Sequence, residues 1–401
     1  MKNTQVDSSS WKLFQALLAF LGMGFQVSSH AAEKAKAILP PEIIIRHTKE
    51  RNFIGPGMLA LDKDEILMIA PWGRPPANFA EIAARLPVPM IYKSTNGGRS
   101  WDEHGRMKME WKLAGIISDG GASLLRLKDG RIAVTFNRHV PGLHGGGTPV
   151  ISFSQDDGKN WTPARLLIEK DDAFYVMNDR LIQLGSGRLV LPVARKVGNT
   201  EGDRDEGLVM LSDDAGATWR PCRGKAVLDS PRGMAEPCVA EVGERILMLG
   251  RTGRGFLYSS WSGDGGETWS NPQPTTLESA CSSLTLKTLP DGRLIVFYNH
   301  AKPIQPGAFF PRTPLCYAVS DDGGKTWGEP FIVDDEGMAA KDRQNIYPSV
   351  CFTKDGMVVM WSTHQADPKG SFAGAYNPNI GGGKRAILAT PPKALPTNPS
   401  R

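Results

Sequence analysis

Five times along the chain a polar octapeptide ends on tryptophan: STNGGRSW (Ser94 to Trp101), SQDDGKNW (Ser154 to Trp161), SDDAGATW (Ser212 to Trp219), SGDGGETW (Ser262 to Trp269) and SDDGGKTW (Ser320 to Trp327). All fit Ser-x-Asp-x-Gly-x-x-Trp, with Asn96 replacing Asp in the first. A four-point pattern that recurs in this way marks an architectural period. Its residue types are those of a turn. The carboxylate or amide accepts hydrogen bonds from the turn's own N–H groups, the glycine supplies a positive φ, and the indole packs back onto a core. The motif predicts a structural staple and carries no catalytic group.

A second unit accompanies the first. Apolar strand, tight polar turn and apolar strand recur in MLALDKDEILMIA from Met58, SLLRLKDGRIAVTF from Ser123, RLIQLGSGRLVLPVA from Arg180, CVAEVGERILMLG from Cys238, SLTLKTLPDGRLIVFY from Ser283 and SVCFTKDGMVVMW from Ser349. These are hairpin signals, and a third strand then enters most of the tryptophan turns. Four short strands per unit, six units and no linker predict an all-β fold, a six-bladed β-propeller of four-stranded antiparallel blades over residues 40–395. The last unit has no tryptophan turn. AILAT (Ala386 to Thr390) supplies its third strand, and EIIIRH (Glu42 to His47) completes the blade and closes the ring.

Residues 1–31 read as a secretory signal: Lys2 and Lys12, then the apolar run Leu13 to Phe25, then a small-residue cleavage site near Ala31. The mature chain is expected to be exported, periplasmic or extracellular, with no further span of bilayer length. Five cysteines show no paired spacing, which argues against a disulfide framework and a zinc site. A formal charge of +5 without Lys/Arg blocks excludes a nucleic-acid binder. HGGGT (His144 to Thr148) and the glycine-rich Gly370 to Lys384 open no helix, so no phosphate loop is read and no cofactor is expected.

Antiparallel blades place the start of each first strand and the end of each second strand on one face, opposite the tryptophan turns. The starts are Gly55, Gly121, Asn178, Glu236, Cys281 and Tyr347; the ends are Trp72, Arg138, Arg195, Arg251, His300 and His364, with Arg74 close behind Trp72. Arginines and histidines around a glutamate and a tyrosine predict a receptor for an anionic ligand. Taken singly, any of these arginines fits a strand-end ion pair equally well.

These residues and turns resemble the sialidases (neuraminidases), in which the turn is called the Asp box. That resemblance implies a tyrosine nucleophile activated by glutamate and a substrate carboxylate held by three arginines, an exception to the usual two-carboxylate scheme. AEPCVAEVGERILMLGR matches the segment with the glutamate and second arginine, giving Glu236 and Arg251. FFPRTPLCYAVSDDGGKTW gives Arg312 as the third arginine, and NIYPSVCFTKDG gives Tyr347.

Two positions depart from that pattern. Phe53, Ile54, Gly55 and Pro56 stand where the family has Phe-Arg-Ile-Pro, so the first arginine is missing, with Arg51, Arg74 and Arg138 as replacements. The loop APWGRPPANFAEIAARLP lacks the family's acid/base aspartate; Asp119, or Glu81, is the nearest acid. Asn178, Asp179 and Arg180 are added as polar groups expected at the mouth. The expected partner is an acidic glycan, cleaved by an exo-glycoside hydrolase or, in the alternative readings, bound without cleavage or replaced by a different glycan. A protein-interaction propeller would instead show an apolar patch.

Overall fold

The computed structural model describes residues 32–48, 52–62, 64–70, 72–73, 89–113, 116–140, 147–169, 172–198, 204–303, 311–338, 343–365 and 381–393. The signal-like segment 1–31, Arg51, Arg74 and Glu81 lie outside them. Strands are the regular structure of the described residues, and none of these residues forms a helix long and apolar enough to cross a membrane.

Six four-stranded antiparallel blades follow one another along the chain. Blade one is Gly57–Ala60, Ile66–Ala70, Met90–Ser94 and Asp102–Arg106. Blade two is Ile116–Arg126, Ile132–His139, Val150–Ser154 and Arg165–Leu166. Blade three splits its innermost strand into Phe174–Tyr175 and Ile182–Gln183, followed by Leu189–Val197, Arg204–Ser212 and Arg220–Pro221. Blade four is Ala235–Val242, Arg245–Arg251, Phe256–Ser262 and Gln273–Glu278; blade five is Thr285–Thr288, Leu294–Asn299, Leu315–Ser320 and Phe331–Asp334. Blade six joins Arg343–Thr353, Gly356–Gln365 and Gly382–Leu388 to Ala37–Arg46 from the other end of the chain, pairing Glu42 with Arg385 and Arg46 with Gly382. The ring closes as the sequence predicts, so the sheet edges on either side of the closure are paired.

Middle strands are buried on both faces, which is why Ile66–Ala70 and Leu294–Asn299 read as unbroken buried runs. The core lies between blades. One apolar cluster joins Leu67 and Ile69 of blade one to Val134 and Phe136 of blade two, and another joins Met357 and Trp361 of blade six to Phe297 and Tyr317 of blade five.

The tryptophan turns staple these seams. In the third, Ser212 Oγ donates to Asp214 Oδ1 (2.8 Å) and accepts from Gly216 N (2.9 Å), while Thr218 N and Oγ1 donate to the two Asp214 oxygens (2.8 and 2.6 Å). Trp219 Nε1 then donates to the Gly216 carbonyl at 3.1 Å. The glycine has two jobs. Its φ is +86°, and a Cβ there would come 2.8 Å from the Phe153 ring of the preceding blade. Gly98, Gly158 and Gly324 would likewise strike Val358, Leu67 and Leu247, each in the preceding blade.

The Thr218 bonds hold the Asp214 carboxyl down to about 2, and Asn160 does the same for Asp156. A depressed carboxylate stabilises the fold fully above its unfolded value near 4, and that contribution is lost as pH falls toward 2. Because Asp214 is exposed and its charge is screened by solvent, Asp214→Ala is expected to cost about 0.5–1.5 kcal/mol at neutral pH. Thermal melts should show a deficit that shrinks below pH 4; a melting curve superposable on the parent at pH 7 would refute this role.

Candidate active site

In blades two, four and six the innermost strand carries a bulge, with register shifts between Ile117 and Ala122, Ala235 and Cys238, and Ile346 and Ser349. The chain turns left-handed at or beside these points and at the matching places of blades one and three. φ is +53° at Gly55, +96° at Gly121, +59° at Asp179, +45° at Glu236 and +55° at Tyr347. For a glutamate or a tyrosine such a backbone costs about 1–3 kcal/mol, which glycine would avoid, and strain of this kind gathers at functional sites.

Glu236 and Arg251 form a buried pair, Oε1 to Nη2 at 2.7 Å, with both side chains only 4% exposed. Pairing of Ala235 with Arg251 across the first two strands of blade four sets this contact. The second oxygen, Glu236 Oε2, is buried and accepts no hydrogen bond from the described residues. Arg251 also donates from Nη1 to the Cys281 carbonyl at 3.2 Å. Burial is the largest influence and opposes its charge, but Glu236 together with Cys281, Tyr347 and Tyr175 outweighs it and holds the guanidinium above its ordinary range.

Arg312 precedes the third strand of blade five and is 1% exposed. Its carbonyl accepts from Asn345 N (3.0 Å) and Asn299 Nδ2 (2.8 Å), which fixes the backbone across the seam between blades five and six. Burial, with Arg251 as the repelling neighbour, pushes it down to about 10, while Tyr347 and Glu236 act in the opposite sense. Tyr347 is half-buried: its N–H donates to Ser283 Oγ at 2.8 Å and its ring packs on Tyr175, Met177 and Ala194. Glu236, Arg251, Arg312 and Tyr347 are thus brought together from blades four, five and six. Two guanidiniums beside one carboxylate in a buried site are an arrangement able to receive an anionic group.

Asn178, Asp179 and Arg180, expected at the mouth, are buried, with Asn178 against the main chain of Tyr347. Asn178 Nδ2 donates to the carbonyls of Pro56 (3.0 Å), Tyr347 (3.1 Å) and Pro348 (3.0 Å). The Asp179 carboxylate takes Lys287 Nζ at 2.5 Å, and Ser349 Oγ and Val350 N at 3.1 and 3.0 Å. Arg180 Nη1 returns to the Asn178 carbonyl at 2.8 Å. The turn crosses from blade three to blades one, five and six, joining strands around the axis; the Asn178 amide nitrogen and the Asp179 carboxylate bond to the scaffold, while Asn178 Oδ1 and Arg180 Nε and Nη2 are buried and make no hydrogen bond among the described residues.

The expected ring of basic strand ends also resolves into separate roles. Arg195 is paired with Asp172 at 3.2 Å. His364 stacks on His47 at 4.7 Å, and burial, the neighbouring imidazole and Arg312 keep it neutral. Burial brings His47 to about 4. Arg138, buried in blade two, donates from Nε to the Thr148 carbonyl at 3.3 Å. Asp119 stands within the bulged stretch of Ile116–Arg126, its side chain outside the described residues. Among the described residues no cluster of three or more acidic, histidine or cysteine side chains is placed to hold a metal.

Sequence reasoning missed Tyr175, Asp205 and Arg232, which adjoin the Glu236–Arg251 pair. The one available signal was the acidic stretch GDRDEG entering the third strand of blade three.

The model of the BNR repeat-like domain matches residues 141–360. No curated protein is significantly similar to the chain. Among solved structures, a protein of unknown function from Dyadobacter fermentans superposes with a TM-score of 0.64 at 17% identity, covering 89% of this chain and 99% of that one. The intramolecular trans-sialidase of Ruminococcus gnavus, solved with oseltamivir carboxylate, gives 0.61 at 16% identity over 88% and 98%. Trypanosoma rangeli sialidase with sialic acid gives 0.58 at 14% identity over 89% of this chain and 60% of that one. At these identities the likeness is one of fold.

Proposed function

Since this chain belongs to the BNR repeat-like domain family, on a propeller fold like that of the sialidases, we propose that it is an exported exo-glycoside hydrolase that removes a terminal acidic sugar. The observation that carries the reading is the gathering of Glu236, Arg251, Arg312 and Tyr347 around one buried ion pair.

Arg251 and Arg312 hold the sugar's carboxylate and with it the anomeric carbon beside the phenol. A neutral phenol approaches an anionic sugar without the repulsion that a carboxylate nucleophile would meet. Glu236 draws off the phenolic proton as Tyr347 Oη bonds to the anomeric carbon and the leaving oxygen departs with a proton. We assign that proton to Asp119. Water then releases the sugar from the tyrosine, and two displacements retain the anomeric configuration.

Ile54, at the position of the family's first arginine, favours a second reading, in which the site binds an acidic glycan and cleaves nothing. Purified protein incubated with sialosides and other acidic glycosides separates the two. The expected result is free acidic sugar whose first-formed anomer keeps the substrate's configuration by proton NMR. Binding of the same glycans without any release would replace the hydrolase reading by the binding one.

A further inference from the structure

Beside the Glu236–Arg251 pair lies a second buried polar group. Tyr175 Oη donates to Asp205 Oδ2 at 2.9 Å, and Arg232 Nη2 lies 3.6 Å from the same oxygen. Asp205 is wholly buried, and Tyr175 and Arg232 are each 7% exposed. Burial, then the charges of Asp205 and Glu236, hold the Tyr175 phenol well above its ordinary range, with Arg251 and Arg232 pulling the other way. Burial also raises the Asp205 carboxyl, against the pull of Arg232.

Asp205 reaches both halves of the reactive pair. Through its main chain it grips the segment that leads to Glu236: its N–H donates to the Arg232 carbonyl at 3.3 Å and its carbonyl accepts from Met234 N at 3.0 Å. Gly233 makes this approach possible, because its φ is +53° and a Cβ there would fall 2.1 Å from the Asp205 oxygen. Three residues on, the chain presents Glu236 in its own left-handed conformation. Through its side chain Asp205 fixes the hydroxyl of Tyr175, whose ring, with Met177 and Ala194, is the pad on which Tyr347 packs.

We infer that Asp205 is a positioning residue, which sets Glu236 through the main chain and Tyr347 through Tyr175, and which keeps Tyr175 a hydrogen-bond donor so that Tyr347 is the phenol that reacts. The inference rests on the hydrolase reading. A phenol committed to a carboxylate cannot also serve as nucleophile without giving up that bond, and two phenols in one site need such a division of labour.

The test uses Asp205→Asn, which keeps shape, main-chain bonds and an acceptor oxygen while removing the charge. Tyrosinate absorbance at 295 nm is followed against pH in the parent, Asp205→Asn, Tyr175→Phe and the double variant, with far-ultraviolet circular dichroism confirming the fold throughout. One tyrosine should ionise about one pH unit or more lower in Asp205→Asn than in the parent, and that step should vanish in the double variant. With a cleaved glycoside from the panel, kcat should fall about tenfold or more in Asp205→Asn while KM stays within about threefold, since Arg251 and Arg312 are untouched. A titration unchanged by Asp205→Asn overturns the inference, as does a shifted titration with an unchanged kcat. If the parent cleaves nothing, the hydrolase reading fails, and the titration still decides whether Asp205 governs Tyr175.

Discussion

Tyr347→Phe is expected to lower the rate of sugar release by about 10³-fold or more while leaving acidic-glycan affinity within a few-fold of the parent. Only one oxygen is removed. The ring keeps its packing on Tyr175, Met177 and Ala194, and the backbone bonds to Ser283 and Asn178 do not involve the side chain. Stability should therefore change by no more than about 1 kcal/mol, which makes loss of activity in this variant a statement about chemistry. Initial rates and equilibrium binding with the same glycoside check the split. A variant that keeps a tenth or more of the parental rate would exclude the phenol as nucleophile and turn attention to direct attack by water on a substrate held by the two arginines.

The propeller was legible because its repeating signal is local. Ser, Asp, Gly and Trp act within one turn, as the Ser212 to Trp219 bonds show, so spacing alone carries the information. Closure by Glu42 to His47 was legible for a related reason, since an unpaired final blade needs a partner strand. Glu236 and Tyr347 could be placed by superposing the repeats. Their left-handed backbone could not, because a bulge is a matter of register against a second strand and leaves no mark in composition. Asn178 and Asp179 show the same limit. Their polarity at the start of a blade reads as a mouth ligand, but their partners Pro56, Lys287 and Tyr347 to Val350 lie more than a hundred residues away in sequence. Periodicity places a residue within its own blade and says nothing about which blades its side chain will join across the axis. His364 shows the limit from another side: the repeat pattern puts His47 in the same blade, but its charge is decided by burial, by the stacking of the two rings and by Arg312 from the neighbouring blade, which spacing does not reveal.

Arg251→Met and Arg312→Met should part company on stability though both weaken acidic-glycan binding. Arg251 is the counter-charge of a buried carboxylate, so its removal strands Glu236 in a dry site and should cost about 3–5 kcal/mol. Arg312 is a second cation pressed against the first. Its folded value, about 10, lies below the ordinary 12.5, so the neutral form is the one the fold favours. For a base lowered in this way the penalty is fully present below the folded value and is relieved only as pH rises through it. Arg312→Met removes that penalty together with the interactions the guanidinium makes, so it should cost less stability than Arg251→Met at every pH from 6 to 9. Each variant should lose about tenfold or more in affinity for an acidic glycan, since each supplies charge-assisted bonds to the same carboxylate. Urea midpoints and glycan titrations at pH 7 measure the two effects separately. If Arg312→Met were as destabilising as Arg251→Met, Arg312 would be a structural cation, and the second cation for an anionic ligand would have to come from elsewhere. If it costs less than Arg251→Met while weakening the hold on the ligand, Arg312 is kept for the acidic sugar more than for the fold.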